Sequence, residues 1–203
     1  MAVDVEKVRT LADHVIGLPS RAIVAIDGVD GAGKTTFADS LAALLTECGR
    51  PILRAGVDGF HNPADVRYAR GRRDPTGYFL DSYDYPALIE HLIIPFRRGD
   101  SHVLTAIFDH RRDAADRSGQ IVPPGALLIL DGIFLHRDEL SDLWDFSVFL
   151  SVPFDVSFER MARRDGCDPD PKAPANARYL EGQLLYHAQC MPETRADLVI
   201  EDW

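Results

Sequence analysis

Gly28-Val29-Asp30-Gly31-Ala32-Gly33-Lys34-Thr35 has the residue types and the spacing to hold a polyphosphate. It fits G-x-x-x-x-G-K-[ST], the phosphate-binding P-loop. Glycines let the backbone curl into a nest whose N–H groups converge on anionic oxygens. A helix that begins at Lys34 adds the positive end of its dipole at the same point. Lys34 can reach the outer phosphates as a point charge, and the Thr35 hydroxyl can ligate magnesium. Gly28, Asp30, Gly31, Ala32, Gly33, Lys34, Thr35 and Thr36 are therefore the expected nucleotide-binding residues, with Lys34 also catalytic. ATP and Mg2+ are the expected cofactors.

Further polar residues follow apolar runs. Asp131 comes after Leu-Leu-Ile-Leu, the arrangement in which an acid at a buried strand end helps hold magnesium, here with Thr35. An aspartate closing the turn at Gly132 is the plainer alternative. Asp58 ends the strand that follows the loop helix, in Val-Asp-Gly-Phe-His, where a carboxylate can take the proton of an attacking hydroxyl. Asp-Gly also suits an ordinary turn. Arg160, Arg163 and Arg164 share neighbouring helix surface just before the breaker-rich stretch Gly166 to Pro174. Arginines there can close over ATP as a lid and stabilise the transferring phosphoryl group. Arg160 and Arg164 are expected at the nucleotide, and the spacing does not tell which acts. A solvated face paired with Glu159 and Asp165 is the alternative. Tyr83-Asp84-Tyr85 and Phe108-Asp109 carry aromatic and acidic groups suited to an acceptor pocket.

Placing these residues requires alternating strands and helices. Val3 to Ile16 reads as an amphipathic leading helix ended by Pro19, and Arg21 to Asp27 as a buried strand. Thr36 to Cys48 follows as a helix with Phe37, Leu41, Leu44 and Leu45 on one face, and Ile52 to Val57 as a second strand. Polar, Gly- and Pro-bearing Asn62 to Asp81 reads as a substrate-side loop or insertion, spanning about 59–83. Pro86 to Phe96 reads as a helix, His102 to Phe108 as a strand, and Asp109 to Gly119 as a charged loop. Ala126 to Leu130 and Phe146 to Val152 read as strands, Phe154 to Arg164 and Ala175 to Met191 as helices, and Leu198 to Ile200 as a closing strand. The expected fold is a single α/β domain over 1–203, three layers α/β/α around a mostly parallel sheet, with a small lid near 160–177. Ligands of such sheets sit beyond the carboxyl ends of the strands.

Bulk properties narrow the function. No apolar run approaches the ~18 residues of a membrane span, and acids at Asp4 and Glu6 with no apolar signal core predict a cytoplasmic chain. A formal charge of −10 argues against nucleic-acid binding. Cys48, Cys167 and Cys190 have no metal spacing and are expected as reduced thiols. The expected partner is a small-molecule acceptor. Oligomeric state is open, and a homo-oligomer is compatible with the sequence.

These segments together resemble the uridine kinase family, within the P-loop kinases that include phosphoribulokinase and bacterial pantothenate kinase. Asp58-Gly59-Phe60 stands where the family has Asp-x-Phe-Tyr, and Tyr83-Asp84-Tyr85-Pro86 resembles Phe-Asp-His-Pro. Ile107-Phe108-Asp109 resembles Val-Tyr-Asp, and Asp131-Gly132-Ile133 stands in place of Glu-Gly-Ile. The Arg-rich helix ending in Arg164-Asp165 and the closing Ala196-Asp197-Leu198-Val199-Ile200 match as well. The resemblance implies ATP-dependent transfer to the 5′-hydroxyl of uridine or cytidine. It implies Asp58 as catalytic base, Asp84 as a ribose contact, Phe108 and Asp109 in the nucleoside pocket and Arg164 in the lid. Phe60 and Tyr83, inside the same motifs, are expected on the substrate side. Departures fall at the acceptor. His61 replaces the family's Tyr, His110 and Arg111 are out of register, and Gly166-Cys167-Asp168-Pro169 replaces an Arg-Gly-Arg.

Rival readings remain. The segment Asp27 to Thr36 also resembles the thymidylate kinase loop, but that family's Asp-Arg pair and Arg-Glu-Pro segment are not in place. A phosphate-bearing acceptor would call for further arginines, for which Arg67, Arg70, Arg72 and Arg73 are available. Another acceptor, a sugar or vitamin alcohol, keeps the fold. A non-enzyme alternative is a nucleotide-dependent switch that binds ATP or GTP; GTP switches generally carry Asn-Lys-x-Asp, which the sequence lacks.

Overall fold

A computed structural model describes residues 4–201. Apolar runs long enough to be buried on both faces build its centre. β1 (Ile23–Gly28), β2 (Ile52–Gly56), β7 (Leu127–Asp131), β8 (Phe146–Ser151) and β9 (Leu198–Glu201) form a five-stranded sheet in the order β2-β7-β1-β8-β9. All its pairings are parallel, with Ala25 opposite Leu130 on one side and Ser147 on the other.

Alternate strand residues enter two separate cores, because successive side chains of a strand point to opposite faces. Val24, Ile26, Leu127, Ile129, Val148 and Leu150 pack under α1 (Val5–Val15) and α2 (Lys34–Glu47). Ile23, Ala25, Leu128, Leu130 and Phe149 face the other way. There they meet α4 (Pro75–Asp81), α5 (Tyr85–Leu88) and α8 (Ala177–Cys190) through Tyr78, Phe79, Leu88 and Tyr186. The three-layer α/β/α expectation holds. Leading helix α1 buries Val8, Leu11, Ala12 and Val15, and the Asp4 carboxylate accepts from the Glu6 and Lys7 amides at its start.

Of the two readings of 62–81, loop or insertion, the stretch fits the insertion, since it holds α3 (Ala64–Arg67) and α4. Two expectations are corrected. The helix expected over 86–96 is interrupted. Pro95 has no N–H to give to the preceding turn. Over Ile89–Ile93 the ladder opens to a π-turn, with the Ile94 amide reaching the Ile89 carbonyl, before α6 (Ile94–Arg98). The strand expected over 102–108 does not join the central sheet. β3 (His102–Leu104) pairs antiparallel with β6 (Gly119–Ile121), and β4 (Phe108–Asp109) with β5 (Ala114–Ala115). Within β3 only Val103 is buried, so the segment has too little apolar surface for a central position.

The chain continues from β8 into α7 (Phe154–Asp165), and α9 (Pro192–Arg195) leads into β9. Helices α4 and α8 cross at Gly182, where an added Cβ would lie 2.5 Å from Tyr78 Cδ1 and 3.0 Å from the Pro75 carbonyl oxygen. Among the described residues no helix is long and apolar enough to cross a membrane.

Candidate active site

Beyond the carboxyl ends of β1, β2 and β7 opens a cleft of about 600 Å³. Asp30, Gly31, Gly33, Lys34, Thr35 and Thr36 line one side, and Asp58, Tyr83, Asp131 and Arg54 the other. The loop's shape depends on Gly31. Its φ is +70°, and a Cβ there would sit 2.4 Å from the Ser157 carbonyl oxygen. Among the described residues no side chain caps the first amides of α2, so they remain available to an anion. Gly28 and Ala32 are buried within the loop and lie behind this lining. Lys34 Nζ donates to the Val29 carbonyl at 2.8 Å, spanning the loop.

At the base of the cleft the Thr35 hydroxyl donates to Asp131 Oδ2 at 2.7 Å. These hard oxygens fit magnesium, which binds through one or two protein oxygens and keeps water and phosphate ligands. Among the described residues no group of three or more His, Cys, Asp or Glu could hold a metal, so a protein-only cage is not what this site offers.

Asp58 faces the loop across the cleft. Tyr83 donates its hydroxyl to Asp58 Oδ1 at 2.9 Å, while Oδ2 accepts from no described residue. On the loop itself Asp30 accepts from the Tyr78 hydroxyl and from Gln183 Nε2 at 3.5 Å. Burial, and then the neighbouring carboxylate, pushes both tyrosines well above the ordinary phenol range, so each stays a proton donor.

A second cavity, of about 450 Å³, shares Asp30, Asp58, Tyr83, Ile133 and Arg164 with the first. Its remaining wall is made by α3, α4, the β4–β5 turn and α8, through residues such as Arg67, Tyr78, Arg111 and Tyr179. Between the cavities, Arg164 pairs with Asp165 at 2.7 Å, and that hydrogen bonding raises its pKa. Arg160 lines an adjoining groove with Thr36, Arg163 and Arg164, and Arg160 Nη1 donates to the Ala32 carbonyl at 3.3 Å. One loop for phosphates, one carboxylate facing it and a solvent-open cavity behind that carboxylate make a phosphoryl-transfer geometry.

Comparison with known proteins agrees. Residues 23–168 match the model of the "Phosphoribulokinase / Uridine kinase family". The chain belongs to that family. A uridine kinase of Shewanella amazonensis is 31% identical over 154 residues, covering 70% of this chain and 68% of the relative. A Silicibacter sp. structure provisionally named a fructose transport system kinase superposes with a TM-score of 0.77. It is 26% identical and covers 98% of this chain and 100% of its own. A Bacillus stearothermophilus structure provisionally named a uridine kinase shares the fold at TM-score 0.77 and 22% identity, covering 96% and 97%. This family member is therefore an α/β P-loop kinase, a phosphotransferase with a hydroxyl acceptor.

Several residues expected at the acceptor stand elsewhere. Phe60 is fully buried in the core below Asp58, so it supports the site without lining it. The Asp84 carboxylate accepts from the Ala87 amide at 2.9 Å, starting α5, and is not among the cavity-lining residues. Phe108 and Asp109 lie in the β4–β5 hairpin, also outside that lining. Asp109 is held by the Arg112 guanidinium and by the Arg111 and Arg112 amides, which bring its pKa down to about 2.

Other residues were not foreseen. Arg54 Nη2 pairs with Asp131 Oδ1 at 2.8 Å and with Asp39 at 3.0 Å; a lone cation inside the apolar β2 was its sequence signal. Asp27, fully buried beneath the loop, accepts from the Gly28 amide at 2.7 Å and from the Tyr186 hydroxyl, and meets His136 Nδ1 at 2.8 Å. Nothing in the local sequence marked the His136 and Tyr186 contacts, which join residues more than a hundred positions apart.

Proposed function

We propose that this chain transfers the γ-phosphoryl group of ATP to a hydroxyl of a small polyhydroxylated acceptor, with Asp58 as the base. The carrying observation is the place of Asp58, on the wall common to both cavities with one carboxylate oxygen open. Loop amides and Lys34 bind and orient the triphosphate. Thr35 and Asp131 hold magnesium, which when bound neutralises charge building on the phosphate oxygens. Tyr83 fixes Asp58 through Oδ1, so Oδ2 is the oxygen that takes the acceptor's proton as the new O–P bond forms and ADP leaves. Arg164 contributes positive charge at the junction and, with Arg160, closes the site against water.

Uridine or cytidine, through the 5′-hydroxyl, is the acceptor that the family resemblance favours. A sugar or other metabolite alcohol is the second reading. It is favoured by the absence of Phe108 and Asp109 from the cavity lining and by the likeness to the Silicibacter sp. protein. Asp58→Asn tests the shared core of both. It should lower kcat by on the order of 10²–10⁴ and leave binding of Mg-ATP intact. Unchanged turnover would remove Asp58 from the reaction. A coupled ATP assay across nucleosides, sugars and nucleoside monophosphates selects the acceptor.

A further inference from the structure

The far wall of the acceptor cavity holds charge that a neutral nucleoside or sugar would leave unanswered. Setting aside residues shared with the phosphate cleft, this wall carries Arg67, Arg111 and Arg178 against a single carboxylate, Asp165. That carboxylate already pairs with Arg164 at 2.7 Å.

The three arginines differ in what offsets them. Arg67 pairs with Asp113 at 3.2 Å, and Asp113 itself is nearly half exposed. Arg178 is 6% exposed. Its guanidinium donates to backbone carbonyls, to Asp74 at 2.7 Å and Arg67 at 3.0 Å, and no described carboxylate pairs with it. It lies over the rings of Tyr68 and Tyr78, at 5.1 and 5.6 Å. The Arg111 guanidinium is exposed and has neither a hydrogen bond nor an ion pair with any described residue. On the same wall His61 stacks on His110 with centroids 4.2 Å apart. A buried guanidinium offset only by carbonyl dipoles and aromatic faces is incompletely compensated and adds positive charge to the cavity. The planar fork of the exposed Arg111 is the one that can match a phosphate or carboxylate.

We infer that the acceptor carries an anionic oxygen group, a phosphate monoester or a carboxylate, at the end remote from the hydroxyl that Asp58 activates. This rests on the kinase reading, since Asp58 fixes which end is attacked. The molecule then lies with its hydroxyl at the shared wall and its anion toward Arg67, Arg111 and Arg178. Tyr68 and Tyr179 also line this cavity and offer rings against which a sugar ring or short carbon chain would pack. The Arg111 guanidinium, hydrogen-bonded to no described residue and acting on Asp165 only through space, is the group that can engage directly. Arg178, tied to carbonyls, supplies fixed background charge.

The first experiment needs no acceptor. Protein saturated with magnesium and a non-hydrolysable ATP analogue, which fills the γ-position, is titrated calorimetrically with inorganic phosphate and separately with acetate. Phosphate should bind at millimolar concentrations or below, and Arg111→Ala should weaken it by about tenfold without changing analogue affinity. No binding of either anion at tens of millimolar, or identical binding by Arg111→Ala, overturns the inference. Failure to bind the analogue itself would instead sink the kinase reading. The second experiment is a coupled assay on matched pairs, fructose and ribose against their phosphate esters and glycerol against glycerate. The anionic member should lead in kcat/KM by about tenfold or more, and the esters against glycerate show which anion is read. A neutral member used as well as its anionic partner overturns the inference while leaving the kinase standing.

Discussion

The phosphate-binding side of the cleft, its donor half, comes from one stretch, residues 30–36, with the ends of β2 and β7 opposite it, whereas the acceptor cavity gathers Arg67, Tyr78, Arg111 and Tyr179 from four separate segments. The first half works mainly through backbone amides whose directions are fixed by a short loop. The second works through side chains carried on the short helices α3 and α4, the longer α8 and a hairpin outside the central sheet. Recognition by backbone ties a site to its local sequence. Recognition by side chains leaves a site free to change without disturbing the sheet.

Substitutions can break that contrast. Lys34→Ala should act on the donor half alone, lowering kcat/KM for ATP by on the order of 10²–10³ with little change in stability. An equal loss for every acceptor tried is the expected pattern. Gly31→Ala should fail differently, because its cost is in the backbone. With φ at +70° and the Ser157 carbonyl 2.4 Å from the new Cβ, unfolding free energy should drop by roughly 1–3 kcal/mol. Urea denaturation reads this, and a stability change near zero would mean that the loop is not held as rigidly as the contrast requires.

Milder changes sharpen the boundary between the halves. Tyr83→Phe removes the hydrogen bond on Asp58 Oδ1 and should lower kcat by roughly tenfold while the KM for ATP stays put. A rise in that KM would place Tyr83 with the donor instead. The smallest effect expected is at His61, whose pKa burial holds below 6.5. The folded chain then binds fewer protons than the unfolded one as pH falls through 6.5. This group's contribution is thus complete above 6.5 and is lost as the pH falls toward the folded value. His61→Gln should flatten the pH dependence of stability in that window. His187, lowered by burial in the same way, preserves part of the slope.

The sequence disclosed these halves unequally, for the same reason. Asp131 was legible because it follows a continuous apolar run that suits an interior strand, and Lys34 because its loop motif is local. Asp58 was legible because it closes the strand after the loop helix, even though that strand carries Arg54 and lies at the sheet edge. Tyr83 was legible through its motif. Phe60 and Asp84 belong to the same motifs yet serve burial and a helix start, and spacing alone does not separate those duties. Arg178 and Tyr179 had no signal, since their role depends on α8 crossing α4 about a hundred residues earlier in the chain. The run 102–108 misled because its apolar residues suit either a central strand or a short hairpin, and within β3 only Val103 is buried.

The crossing at Gly182 reaches further than packing. Tyr78, pressed against that bare α-carbon, holds Asp30 with its hydroxyl and walls the second cavity with its ring. A single methyl group at 182, contacting neither nucleotide nor acceptor, would shift both of these together. The breadth of the chamber is therefore gauged by the smallest side chain the genetic code provides.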